Sequence, residues 1–288
     1  MEPFVEALET NGGVPSRASG NAAWIIASQT LMVTVNQTFV SMGDTSVNVV
    51  LAPLKIRRDK EIFSADGGWF KARWHFSFDH YRDPDNMGIG TLRVFNHDTL
   101  MPGAVWPMHP HRDIEGITYV VAGTFEHSDS AGNGGVLHPG AVQRVTLGSG
   151  MMHSERNHSK TEPIQFIQMW IMPDQRGLPP SFEQQQYRQE DRKNRLLQIL
   201  RPEGTAGEGV TVHQDVSMYA AYLESGHEVS YQFGGGRRGY FYLIEGSIVL
   251  NEEPMTTGDA AKVMEGGLLT ARANTASELI FVDTPPGI

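Results

Sequence analysis

Turn clusters divide this chain more tightly than any other feature does. RDPDNMG, DTLMPG, DSAGNGG, HPG and GSG break the stretch from Ala52 to Gly150 into short runs rich in Val, Ile, Tyr and Phe. Gly, Pro, Asn and Asp at that density interrupt any long helix, and β-branched and aromatic runs between such turns form strands. A chain so divided folds as a β-sandwich or barrel, so the expected class is all-β. The 31 Gly and 16 Pro suit many turns and disfavour a helical bundle. At 288 residues there is room for one large β domain or two modest ones.

The second half repeats the pattern. After the polar segment SFEQQQYRQEDRKNRLLQIL (Ser181–Leu200), a new β series runs through Val210–Val216, Met218–Leu223, His227–Phe233, Gly239–Leu250 and Leu268–Val282. YFYLIEGSIVLNEEPMTTGDAAKV has the outline of YVVAGTFEHSD…LHPGAVQRV: strand, Gly turn, strand, Gly-containing turn, strand. Two copies of one β unit are expected. The predicted organisation is an N-terminal extension over 1–52, a first β domain over 53–180, a linker region over 181–208 and a second β domain over 209–288. The extension is rich in Ser, Thr, Asn and Gly with a β-leaning run at Leu31–Val40, and it reads as a dispensable tail or an added strand.

Charge and composition exclude several functions. A net charge of −10 and a pI near 5.5 argue against nucleic acid, whose phosphates need clustered Lys and Arg. The basic groups at Lys55–Arg58 and Arg188–Arg195 are broken or flanked by acids. The most apolar early segment, Ala22–Val35, contains Ser, Gln and Thr and is too short to span a bilayer. No membrane association is expected. With no cysteine, disulfides, thiolate metal sites and a Cys nucleophile are impossible. Any metal must be held by His, Asp or Glu, and a cytoplasmic location is expected.

Two short motifs carry chemistry. In WPMHPHRDIEGITYVVAG (Trp106–Gly123), His109 and His111 are two residues apart, and strand side chains two apart share a face. In GSGMMHSERN (Gly148–Asn157), His153 and Glu155 have the same spacing after a Gly-rich turn. On neighbouring strands the two pairs offer three imidazoles and one carboxylate. That set suits Fe(II), Mn(II), Ni(II), Cu(II) or Zn(II) and leaves positions open for water or substrate. Glu115, four residues beyond His111, is a rival carboxylate, and the residues alone accept either.

These motifs resemble a known family. Gly103, His109-x-His111, Glu115 and Gly123 resemble the first cupin motif, and Gly150-x-x-His153-x-x-x-Asn157 resembles the second. HPHRDIEGITYVVAGTFEHSDSAGN followed by GSGMMHSE is similar to the pirin family of bicupins. WHFSFDHYRDPDNMGIGTLRVFNHD and QMWIMPDQRGLPPSFEQQQY point to its bacterial branch, associated with quercetin 2,3-dioxygenase activity. The resemblance covers about residues 53–288 and thins in the second half.

It implies two tandem jelly-roll domains, with a single divalent metal, usually Fe(II), on His109, His111, His153 and Glu155 in the first. The second unit, which has His213 and His227 but no H-x-H, resembles the family's degenerate cupin. The implied reaction is O2-dependent ring cleavage of a flavonol chelated through its 3-hydroxyl and 4-carbonyl oxygens. Glu155 or Glu115 would take the hydroxyl proton, and carbon monoxide would leave.

Phe76, Phe78, Trp106, Met108, Met151 and Met152 are candidate cavity walls, although most of them singly read as core. His75 is a candidate for the cavity mouth. His80, His97, His127, His138 and His158 read as surface or hydrogen-bonded. The resemblance also allows a different class of function: a metal-binding, redox-sensing regulator acting through a protein partner, without a physiological substrate.

Overall fold

The computed structural model describes residues 49–287. All but the last four residues of the expected extension, including Leu31–Val40, lie outside that range.

The first twelve strands are β1 (Leu54–Arg57), β2 (Phe63–Asp66), β3 (Phe70–Trp74), β4 (Leu92–Leu100), β5 (Val105–His111), β6 (Glu115–Ala122), β7 (Phe125–Asp129), β8 (Gly134–Leu137), β9 (Ala141–Thr146), β10 (Met151–Asn157), β11 (Ile164–Ile171) and β12 (Ser181–Gln186). Ten more follow: β13 (Leu197–Pro202), β14 (Val210–Val212), β15 (Ser217–Leu223), β16 (Glu228–Phe233), β17 (Arg238–Glu245), β18 (Ser247–Leu250), β19 (Glu253–Thr256), β20 (Ala260–Val263), β21 (Gly267–Ala273) and β22 (Ser277–Thr284). Helix among the described residues is confined to short 3-10 turns. None of it is long and apolar enough to cross a membrane.

The strands form two sandwiches, each of one seven-stranded and one four-stranded sheet. The first has orders β12-β9-β6-β11-β4-β3-β2 and β5-β10-β7-β8. The second has β1-β20-β17-β22-β15-β13-β14 and β16-β21-β18-β19. Adding eleven to the strand number turns β9-β6-β11-β4 into β20-β17-β22-β15, and β5-β10-β7-β8 into β16-β21-β18-β19. The internal repeat is therefore a repeated jelly roll, and the protein is an all-β bicupin.

Edge strands are exchanged between the two halves. β1 precedes the first sandwich in the chain but pairs with β20 of the second. β12, from the polar segment between the β series, pairs with β9 of the first. β13 then starts the second sandwich by pairing with β15.

The two large sheets pack face to face. Phe76, Phe95, Ile117, Tyr119, Ile167 and Met169 of the first half share one buried cluster with Ile199, Met218, Tyr240, Tyr242, Ile280 and Val282 of the second. Each fully buried residue of this size contributes about 1.5–3 kcal/mol. Polar groups in the same layer are bonded across it. Tyr119 donates its hydroxyl to Glu278 Oε1 at 2.6 Å, and His97 Nδ1 lies 2.7 Å from the Tyr242 hydroxyl.

This layer uses only one face of each strand. In β4, Phe95 and His97 point to it, while Val94, Asn96 and Asp98 point into the first sandwich, as strand alternation requires. In β11, Ile167, Met169 and Ile171 face the layer, while Gln168 and Trp170 face inward.

Candidate metal centre

His109, His111 and His153 come together inside the first sandwich, their ligand atoms all within 4.8 Å of one another. β5 and β10 are antiparallel neighbours, with His153 opposite His109 and Met151 opposite His111. Strand alternation turns the three rings inward. Their centroids lie 4.9 Å (His109–His111), 4.5 Å (His109–His153) and 5.2 Å (His111–His153) apart.

The ring nitrogens are prepared for a cation. His109 Nδ1 donates to the Pro107 carbonyl at 2.8 Å, which leaves Nε2 as the ligating atom. His153 Nδ1 lies 3.3 Å from Nε2 of His127 on β7, while His153 Nε2 is buried with no hydrogen-bond partner among the described residues. A buried nitrogen in that state is one that a metal would satisfy.

Burial, and then the charges of His109, His127 and His111, pull His153 down to about 3. Burial, followed by His109, pulls His111 down to about 4. Both rings are neutral at neutral pH, the form a metal takes. Three imidazoles of this kind suit a divalent transition metal.

Glu155 is in the same cavity but outside the histidine cluster. A bulge between His153 and Glu155 shifts the register by one residue, so Glu155 stands opposite Trp106. Its Oε1 accepts from Gln168 Nε2 at 2.7 Å, and Gln168 Oε1 in turn accepts from the Thr118 hydroxyl at 2.6 Å. Desolvation raises Glu155 to about 7, against the pull of the Gln168 bond. Nearby Asp98 is held well above the usual carboxylate range, by burial first and by Glu155 second.

The raised Glu155 has a consequence for stability. The folded protein binds its proton more tightly than the unfolded chain does, so ionising it destabilises the fold as pH rises from about 4.5 to 7. In the presence of chelator, Glu155→Gln should gain on the wild type across that window, reaching about 3 kcal/mol above it. Urea unfolding at several pH values checks this; a difference that does not change with pH would contradict it.

The histidines open onto a cavity of about 420 Å³ between the two sheets. Of the expected walls, Phe78, Trp106 and Met108 line it. Phe76 does not, because β3 ends at Trp74 and strand alternation no longer holds beyond it. Phe76 is fully buried between the halves, 4.8 Å from the Tyr240 ring. Met151 is buried beside Val145 and Leu147, and Met152 is exposed on a separate open groove. His75 is fully buried in the interface layer, bonded through Nδ1 to the Tyr240 hydroxyl at 2.8 Å, and is not at the cavity mouth.

Glu115 also lies elsewhere. Asp113, at φ 52°, stands between β5 and β6, where the chain crosses from the small sheet to the large one. Glu115 therefore does not continue the His109–His111 strand. It shares the face of Ile117 and Tyr119, where Oε1 is 2.7 Å from His213 Nδ1 and Oε2 accepts from the Thr146 hydroxyl at 2.9 Å. Glu115 belongs to the contact between halves.

Trp74, Trp170, Asn96, Asp98 and Gln168 also form the cavity wall, and His127 stands behind His153; no spacing in the sequence marks the first five. For His127 a signal existed: it opens a hairpin that the downstream His-x-Glu strand could pair with, and it lies opposite Glu155.

The second sandwich has different residues at the matching places. β16 and β21, the counterparts of β5 and β10, set Tyr231 opposite Leu269 and Val229 opposite Ala271, and neither strand carries a histidine. Tyr219, Tyr231, Phe233, Phe241 and Phe281 pack together there.

Comparison with known proteins agrees with this architecture. Residues 56–171 match the Pirin family model, and residues 198–284 match the model of the quercetinase C-terminal cupin domain. A quercetin 2,3-dioxygenase of Escherichia coli K12 is 34% identical over 80% of this chain and 98% of its own length. A pirin-like protein of Caulobacter vibrioides is 35% identical over 76% of this chain and 94% of its own. Among solved structures, an Escherichia coli bacterial pirin in complex with nickel(II) superposes with a TM-score of 0.76 at 32% identity, covering 81% of this chain and all of that one. With both halves matched and relatives covered almost end to end, this chain belongs to the pirin family.

Proposed function

We propose that the protein is a metal-dependent dioxygenase that opens the central ring of quercetin-type flavonols with O2 and releases carbon monoxide. The observation that carries this reading is the three-histidine cluster set in the wall of an aromatic cavity. A volume of about 420 Å³ is in the range of small-molecule sites. Trp106, Phe78, Trp74 and Trp170 give flat faces for a flat ligand. The relatives called quercetin 2,3-dioxygenase support the substrate class.

A divalent cation on His109, His111 and His153, with Glu155 as a fourth ligand when it turns from Gln168, would stabilise the anion of a chelating hydroxyl. Glu155 is also the carboxylate within the cavity that is placed to take the hydroxyl proton, and burial sets its affinity for that proton near neutrality. Thr118 and Gln168 hold Glu155 at the cavity wall. The indole and phenyl walls exclude water and orient the ring. The metal is Fe(II) on this reading, with nickel(II), as bound by the Escherichia coli relative, a second candidate.

The test is metal analysis of the purified protein, followed by quercetin under air with each of Fe(II), Mn(II), Ni(II), Cu(II) and Zn(II). Loss of the flavonol absorbance band with carbon monoxide release is the expected result. No turnover at full occupancy with any of these metals would overturn it and leave a regulatory role through a protein partner as the better reading.

A further inference from the structure

The cavity wall facing the histidines has two oxygens for which the fold provides no donor. Asn96 and Asp98 are two residues apart on β4, on the face that lines the cavity. Asn96 is 3% exposed and Asp98 5%. Asn96 Oδ1 and Asp98 Oδ1 have no hydrogen-bond partner among the described residues.

Apart from the histidine nitrogens that would hold the metal, other polar groups on the same walls are engaged. Gln168 is held by Thr118 and donates to Glu155, and His109 donates to Pro107. Asn96 is flanked on β3 and β11 by Trp74 and Gln168, and Phe70, Val94 and Trp106 add apolar wall to the same cavity. A ligand that fills this space without offering donors leaves both acceptors desolvated and unpaired, at a cost of roughly ten- to a hundredfold in affinity for each.

We infer that Asn96 and Asp98 set the substrate specificity of this cavity, accepting hydrogen bonds from ring hydroxyls of the bound aromatic and so selecting polyhydroxylated rings over unsubstituted ones. This rests on the reading of the cavity as a flavonol site and adds to it. The histidines and Glu155 deal with the chelating oxygen pair that all flavonols share. Asn96 and Asp98 deal with the hydroxyls by which flavonols differ. A site built to hydrogen-bond a hydroxyl rejects the analogue that lacks it far more strongly than a purely apolar pocket rejects a change of size.

The experiment compares quercetin with 3-hydroxyflavone, which keeps the chelating pair and has no other hydroxyl. Binding to the metal-loaded protein is read from quenching of indole fluorescence, since Trp74, Trp106 and Trp170 line the cavity. Turnover is read under air in parallel. Quercetin should bind at least roughly tenfold more tightly than 3-hydroxyflavone. Asn96→Leu and Asp98→Leu, made separately, should each reduce that preference by roughly tenfold, by weakening quercetin and by relieving 3-hydroxyflavone of the unpaired acceptor. Each removes an unpaired buried group, and thermal melts establish that each variant folds. If one does not, the other still gives the ratio.

Equal affinity for the two flavonols in the wild type, or a preference unchanged in the folded variants, overturns the inference while leaving ring cleavage intact. A hydroxyl preference lost in the variants, without turnover of either flavonol, supports the inference and overturns the dioxygenase. Failure to bind either flavonol overturns both.

Discussion

His153→Ala should strip the protein of its metal and abolish turnover. His153 is the one ligand candidate that faces both histidines of β5, and its loss leaves two imidazoles on a single strand. The affinity for Fe(II) or nickel(II) should fall by more than the roughly 10- to 100-fold typical of losing an outer hydrogen-bond partner. His127→Ala supplies that outer comparison, because His127 touches the metal site through His153 Nδ1. Metal content after dialysis and competition with a chromophoric chelator give the ranking. Equal losses in the two variants, or metal retained in His153→Ala, would remove His153 from the ligand set.

The second large effect separates two glutamates. Glu155→Gln should lower turnover by roughly 10²–10⁴-fold, the range for removal of a general base. Glu115→Gln should leave metal content as it is and lower stability by about 1–3 kcal/mol, because a fully buried side chain that accepts at both oxygens, beside His213 and Thr146, has one oxygen replaced by an NH2 donor. Thermal melts and metal analysis of both variants decide the matter. Metal lost in Glu115→Gln but kept in Glu155→Gln would return Glu115 to the site.

At these two glutamates the sequence spacing and the tertiary structure part. Spacing alone let Glu115 continue the His109–His111 strand, since a period of two runs on for as long as the strand does. Asp113 ends that period by taking a left-handed conformation, and a lone Asp in HRDIEG gives little warning of it. The cavity walls were hidden for another reason. In LRVFNHDTL and IQFIQMWI both faces of the strand are covered, so apolar residues do not alternate with polar ones and parity cannot be assigned. Phe76 and Phe78 show a related failure: two residues apart, they occupy different sites because the strand stops before them.

What the sequence by itself determined is local. Turn chemistry and β-forming runs gave the all-β class, the Gly-bounded outline gave the repeat, and the two spacing-two motifs brought forward His109, His111 and His153. The tertiary structure decided what depends on distant strands and on the face each presents. It set Glu155 beside the histidines and Glu115 against the second half. It built the far wall of the cavity from β4 and β11, and it exchanged β1 and β12 between the sandwiches. The physical reason is that a strand's pleat is written in neighbouring residues, whereas the identity of the sheet across from it is a free-energy choice made by the whole core.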